Sequence, residues 1–341
     1  MDTLAIRTLL TEMFDLQYPI VLAPMGGVAG GRLAAAVSNA GGLGLVGGGY
    51  GDHDVLKKEL SIVREQTNRS WGVGLITWAV ERDTVELALK YNPDVFLLSF
   101  GDPREYAKII KAQNCKLICQ VQDEEQAELA MEAGADLIVA QGTEAGGHGA
   151  ARATLPLVPS IVDRVSPIPV LAAGGIVDGR GLAASIMLGA AGVMIGTRFY
   201  ATEESIGFEQ AKECIVSAKG NDVARTTVFD IVRKLNWPPP YTGRAIRNEF
   251  FNQWDGRENE LKANLDNVVQ EYQIGLQTKD INTIHIFAGE GVSLIHSIES
   301  AQNIVKAIGE EAEECLSRGQ QFVDNIKKVK PRGQVSELDR H

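Results

Sequence analysis

The residues with the clearest capacity for chemistry lie in one short tract, Gln141-Gly142-Thr143-Glu144-Ala145-Gly146-Gly147-His148-Gly149. A histidine set among glycines is seldom there to pack. Imidazole titrates near neutrality, so His148 is a candidate base, acid or hydrogen-bond donor. Two further tracts, Ala173-Gly174-Gly175-Ile176-Val177-Asp178-Gly179-Arg180 and Met194-Ile195-Gly196-Thr197-Arg198, carry the pattern a phosphate needs. Glycine N–H groups can reach an oxyanion with no Cβ in the way, a helix starting near Gly196 would add its positive end, and Thr197 offers a hydroxyl. His53, His285, His296 and His341 have no comparable setting. No His/Cys/Asp cluster has metal-ligand spacing and no Gly-x-Ser-x-Gly elbow occurs, so no metal site is expected.

These tracts need a frame. Short β-branched runs at 19–23, 43–46, 72–76, 95–99, 116–121, 136–140, 169–173 and 192–196 alternate with helical patterns at 31–40, 53–66, 82–90, 103–113, 123–133, 155–165 and 179–189. Eight strands with nearly continuous apolar character predict a (β/α)8 TIM barrel, with an open doubly wound sheet as the structural alternative. A barrel binds its ligands at the carboxyl ends of its strands, with phosphate commonly after the seventh and eighth, where the two glycine tracts fall. Gly42-x-Gly44-x-x-Gly47 matches a dinucleotide fingerprint, but it encloses a strand instead of following one and opening a helix.

Beyond residue 200 the pattern turns helical, at 203–219, 223–234, 242–254, 257–277 and 292–318, with Trp237-Pro238-Pro239-Pro240 breaking any helix it meets. The expected organisation is a barrel of residues 1–200 and 289–318, a helical subdomain (201–288) inserted after strand eight over the barrel mouth, and a loosely held tail at 319–341. Phe229, Trp237, Tyr241, Phe250, Phe251 and Trp254 either wall a pocket there or form the insertion's own core.

Composition narrows the function classes. With 341 residues, 45% hydrophobic and 23% charged, the chain can bury a large core, and 26 of its 36 glycines fall in the first 200 positions. A net charge of −11, spread over both halves, argues against a nucleic-acid surface. The four cysteines form no CxxC pair and read as reduced thiols of a cytoplasmic protein. The uncharged window 33–51 is too rich in glycine for a membrane span, so no membrane partner is expected.

Four segments together resemble the nitronate monooxygenase family, formerly called 2-nitropropane dioxygenases. They are Leu22-Ala23-Pro24-Met25-Gly26-Gly27-Val28, the Gln141–His148 tract, the Ala-Ala-Gly-Gly run from Ala172 to Gly181, and Leu188–Phe199. The resemblance implies an FMN-dependent TIM barrel that oxidises alkyl nitronates with O2 to carbonyl compounds and nitrite. Relatives in the same group include NAD(P)H-dependent reductases of quinones and enoyl thioesters, the alternative activity; a non-catalytic flavin-binding scaffold is a third class. By the same resemblance Ala23, Pro24, Met25 and Gly26 approach the flavin ring, Gln120 points to its edge, and Ala145, Gly146 and Gly147 lie against it beside His148. Gly174, Gly175, Gly196 and Thr197 would hold the FMN phosphate, and Gly289–Val292 would complete the pocket. Leu22 and Gly74 depart from the family pattern, which commonly has a Gln and an Asn there, and the loss of two polar groups near the flavin is the expected consequence.

Overall fold

The computed structural model describes residues 6–328. Eight parallel strands form the barrel: β1 (Ile20–Leu22), β2 (Gly44–Gly49), β3 (Trp71–Ile76), β4 (Val95–Ser99), β5 (Lys116–Val121), β6 (Leu137–Gln141), β8 (Val170–Ala173) and β9 (Gly192–Ile195). A short extra strand, β7 (Gly147–Gly149), leaves the barrel between the sixth and seventh barrel strands. The sheet order is β1-β9-β8-β6-β5-β4-β3-β2. It closes through a parallel bridge from Val21 to Leu43, with Leu22 N–H donating to Leu43 O (2.9 Å) and Leu43 N–H to Ile20 O (2.9 Å).

Strand side chains alternate between two apolar layers, so the strands are apolar on both faces. Val21, Leu43, Leu45, Val95, Leu97, Ile118, Val139, Leu171 and Met194 fill the barrel interior. Ile20, Leu22, Val46, Val73, Phe96, Leu98, Leu117, Ile138 and Val193 pack outward against the helices. A helix absent from the sequence reading, Leu9–Phe14, opens with a Thr8–Thr11 capping box and sends Leu10 and Phe14 into the interior layer. Six residues carry too little periodicity to announce such a helix.

The glycines of the false fingerprint serve packing. A Cβ on Gly44 would lie 1.8 Å from Ala34 O, and one on Gly47 2.3 Å from Met25 O, so β2 presses against a helix on one side and the β1 loop on the other.

The segment after β9 is mixed, where helix alone was expected. Val223–Thr226 (β10) and Thr242–Ile246 (β11) are antiparallel strands, and β11 continues onto β7, pairing Gly243 with His148. Helical spacing at 223–234 and 242–254 gave way to strand pairing with the histidine tract, a partner that local sequence does not reveal. Around this sheet stand helices Glu209–Ser217, Val228–Val232, Glu249–Trp254, Glu258–Ala263 and Leu265–Thr278. Phe229, Phe250, Phe251 and Trp254 are buried together with Tyr272 and Leu261, so these four form a local core.

Helix Ala301–Lys328 returns to the barrel and packs on helix Gly179–Met187. Glu311 accepts from Gly179 N–H (2.8 Å), and a Cβ at Gly179 would lie 2.4 Å from Ala312 N. This helix begins nine residues later than expected, after a 3-10 turn at Glu290–Leu294, and it continues through residues 319–328. The remainder of the expected tail, 329–341, lies outside the described residues. Among the described residues no helix is long and apolar enough to cross a membrane, and no group of three or more His, Cys, Asp or Glu is placed to hold a metal.

Candidate active site

A cavity of about 620 Å³ opens at the carboxyl ends of the barrel strands. All the residues expected to contact the cofactor or act on substrate line it, as do Gly289 and Gly291 of the Gly289–Val292 segment. Ala23, Pro24, Met25 and Gly26 come from the loop after β1, Gln120 from β5, Ala145, Gly146, Gly147 and His148 from the tract after β6, Gly174 and Gly175 from the loop after β8, and Gly196 and Thr197 from the end of β9.

The floor is made by close approach of backbone. A Cβ at Gly74 would lie 2.3 Å from Pro24 Cγ, so glycine at this position is what lets Pro24 sit against β3. An Asn at Gly74 would require Pro24 to move, which gives this departure from the family pattern a steric reason. Leu22 is a different case and corrects the expectation above: fully buried, it points into the outer apolar layer and does not line the cavity. The buried Gln120 presents its amide to the cavity without a hydrogen bond to any described residue.

The two glycine loops have the form of a cradle. Gly174 (φ +110°) and Gly175 (φ +72°) adopt left-handed conformations that turn their backbone towards the cavity. A Cβ on Gly196 would occupy the cavity wall at 3.4 Å from Met25 Sδ and 3.5 Å from Ala23 Cβ, and one on Gly147 would meet nothing within 4 Å. The N–H groups of Gly175, Gly196 and Thr197 have no acceptor among the described residues. Thr197 Oγ1 accepts from Gly289 N–H (3.0 Å), which leaves its own proton free to donate. The helix expected at Gly196 is only Thr197–Tyr200, so the donors here are individual N–H groups, with little macrodipole behind them. Cavity-lining glycine backbone and N–H groups without acceptors fit the phosphate end of a flavin, and the free Gln120 amide fits a polar ring edge.

His148 faces this cradle from β7 and is 8% exposed. Its Nε2 lies 2.9 Å from both carboxylate oxygens of the buried Asp230, on helix Val228–Val232. Carboxylate oxygens accept, so the Nε2 proton points at Asp230 and Nδ1 keeps the lone pair. Burial pushes the imidazole below its ordinary 6.5, while Asp230 pulls it back up and the charges of Arg233 and Arg225 push it down. One face of the ring is covered by Trp237, stacked at 3.5 Å and 6°, and Phe287 meets it at 5.3 Å. Trp237 Nε1–H in turn donates to Tyr50 Oη (2.9 Å) and packs edge-on against Trp78, Phe100 and Tyr241. Of the six aromatics considered above, Trp237 lines the cavity and Tyr241 supports it from behind.

The histidine tract is held by arginines that sequence reasoning did not flag. Arg225 of β10 donates from Nε to Thr143 Oγ1 (3.0 Å), from Nη2 to Thr143 O (2.9 Å) and from Nη1 to Thr242 O (2.6 Å). Arg244 of β11 donates to Thr143 O (3.0 Å) and pairs with Glu290 (2.8 Å). From the barrel side, Gln122 donates to Gln141 Oε1 (2.8 Å) and Gln141 Nε2 donates to His148 O (3.1 Å). Asp230, Arg225 and Arg244 stand more than 75 positions from the tract they hold. No local sequence signal marks them, because each acts through a partner distant in sequence.

A (β/α)8 barrel with glycine cradles after its seventh and eighth strands and a carboxylate-backed histidine after its sixth, all lining one cavity, is the frame of a barrel oxidoreductase. Comparison with known proteins makes the class specific. The family model described as "Nitronate monooxygenase" matches residues 7–82 and 76–311, and the chain belongs to that family. A probable nitronate monooxygenase of Staphylococcus aureus (strain Newman) is 32% identical, the match covering 84% of this chain and 92% of the relative. Among solved structures, FabK from Thermotoga maritima superposes with a TM-score of 0.81 at 32% identity, over 93% of this chain and 99% of that one. A nitroalkane oxidase from Streptomyces ansochromogenes gives 0.76 at 26%, over 92% and 99%. The protein is a flavin oxidoreductase.

Proposed function

We propose that the protein binds FMN and oxidises alkyl nitronates with O2, yielding a carbonyl compound and nitrite. The observation that carries this reading is His148, backed by Asp230 and facing a cavity cradled at the other end by Gly174, Gly175, Gly196 and Thr197. When bound, FMN supplies the electron acceptor for the nitronate and the route of those electrons to O2. The N–H groups of Gly175, Gly196 and Thr197 and the Thr197 hydroxyl would hold the phosphate, and Pro24, Met25, Gly26, Gly146, Gly147 and Gln120 would surround the ring. One loop pair holds one phosphate, and no second cradle for an adenylate lines the cavity, so FMN is favoured over FAD.

The chain's own residues then have distinct tasks. His148 Nδ1, with Nε2–H fixed on Asp230, can take the α-proton of a neutral nitroalkane, and Asp230 stabilises the imidazolium that results. Trp237 and Phe287 exclude water from the imidazole and give the substrate's alkyl part an apolar wall. On this reading residues 1–200 and 289–318 form the FMN barrel and 201–288 form an inserted unit that covers it. O2 is the second substrate. The alternative, NAD(P)H-dependent reduction of a quinone or enoyl thioester, has one observation in its favour: Ile206 and Leu276 extend an apolar, partly exposed rim that exceeds the needs of a small nitronate. Aerobic incubation with propane-2-nitronate should release nitrite with matching oxygen uptake. Oxygen uptake only when NAD(P)H is added, with no nitrite, would replace this reading with the alternative.

A further inference from the structure

A second histidine lines the same cavity. His285 lies between the buried Ile284 and Ile286, and its Nδ1 is hydrogen-bonded to the hydroxyl of Tyr272, a fully buried residue of helix Leu265–Thr278. Burial pushes the Tyr272 hydroxyl up to about 12, so it keeps its proton. A buried hydroxyl proton needs an acceptor, and Nδ1 is the one beside it. His285 therefore carries its own proton on Nε2. Burial, with the charge of Arg233 and the nearness of His148, holds the imidazole well below 6.5, so it stays neutral. Its Nε2–H has no hydrogen-bond partner among the described residues and is not sealed inside the protein. Phe287 touches both histidines, at 5.3 Å from His148 and 4.7 Å from His285.

The two imidazoles are thus prepared oppositely. His148 is backed by a carboxylate, which favours holding an added proton. His285 is backed by a phenol that donates to it, which fixes a neutral ring with a donor aimed away from Tyr272. Arg233, whose Nη1 is buried without a hydrogen-bond acceptor among the described residues, stands 4.0 Å from Asp230 at this end of the cavity. We propose that His285 is a substrate-contact residue whose Nε2–H donates to an oxygen of the bound substrate, leaving the proton chemistry to His148. This rests on the nitronate reading, in which that oxygen belongs to the nitronate group and carries negative charge.

The test uses 2-methylpropanoate, an unreactive carboxylate with the shape of propane-2-nitronate, titrated into the flavin-loaded enzyme and followed by the flavin absorbance. His285→Phe keeps the aromatic volume and removes the donor; binding should weaken about 10- to 100-fold, the range for a hydrogen bond to an ionised group. For propane-2-nitronate, KM should rise by the same factor with kcat changed far less. His285→Gln, which restores a donor, should recover most of the loss, and Tyr272→Phe, which frees the ring to adopt either tautomer, should weaken binding a few-fold. Unchanged affinity in His285→Phe, or equal weakening in His285→Gln and His285→Phe, would overturn the assignment. The carboxylate titration needs no turnover, so failure of the nitronate reading, seen as wild-type enzyme that releases no nitrite, is a separate result.

Discussion

The barrel loops and the segment that crosses over them contribute to the cavity in different currencies. The barrel supplies backbone: Gly174, Gly175, Gly196 and Gly147 line the cavity with main chain, and Gly47 and Gly74 let the loop after β1 settle against the strands. The crossing segment supplies side chains: Asp230 behind His148, Trp237 over it, and Arg225 and Arg244 clamping the tract that carries it. A cofactor common to many reactions can be held by backbone, which varies little with sequence, while the reaction itself is set by side chains on a separately variable segment. Changes in the barrel loops should therefore cost cofactor, and changes in the crossing segment should cost rate or selectivity with cofactor retained.

The largest effect expected is at the junction of the two regions. His148→Asn should leave FMN bound and lower turnover of neutral nitroalkanes by about 10²- to 10⁴-fold, the usual worth of a general base, with a smaller loss on preformed nitronates. Equal losses on both substrates would assign His148 to binding instead. The pH profile carries the same information. Because burial holds His148 below 6.5, its base form predominates at neutral pH, and the midpoint of the acid limb of wild-type activity on neutral nitroalkanes should lie below pH 6.5.

Next comes the cradle. Gly196 has a negative φ (−108°), and a Cβ there meets only Met25 and Ala23 at contact distance, so Gly196→Val should retain the fold. Its branched side chain would fill the proposed phosphate position, and on that proposal FMN affinity should fall on the order of 100-fold, as expected for losing one or two hydrogen bonds to a charged group. A yellow, fully loaded Gly196→Val protein would show that the flavin phosphate lies elsewhere.

Both regions were not equally legible in the sequence. The eight barrel strands fall within a few residues of where apolar runs and glycine punctuation put them, because each strand is buried on both faces and needs no distant partner to look like a strand. The candidate cavity residues were legible for a related reason: glycines in a loop have few purposes other than turning or close approach. The rest was hidden because it is defined by pairing. β10 and β11 exist as strands because β7 gives them a partner, and Asp230 matters because a fold brings it to a histidine 82 positions away. Leu22, read as a missing polar group near the flavin, faces the other side of its strand, since in β1 the interior positions are Val21 and Ala23.

Smaller effects belong to the cover. Asp230→Asn removes the charge that favours imidazolium and should reduce turnover of neutral nitroalkanes about tenfold or more, moving the acid limb of the pH profile to lower pH. Trp237→Ala removes an apolar wall of the cavity, so KM should rise roughly two- to tenfold, most for the longest alkyl chains, at about 0.8 kcal/mol per methylene left unburied. No change across chain lengths would remove Trp237 from substrate selection and leave that role to the rim around Ile206 and Leu276.

The most direct test is to mix the flavin-loaded protein, under anaerobic conditions, with propane-2-nitronate or with NADH or NADPH, and to follow the flavin absorbance. Rapid bleaching by the nitronate and at most slow bleaching by the nicotinamides are the predicted results, with Trp237→Ala keeping that preference for nitronate over nicotinamide at a higher half-saturating concentration. Rapid bleaching by NADH or NADPH with none by the nitronate would contradict the reading and make the protein a reductase built on the same cradle.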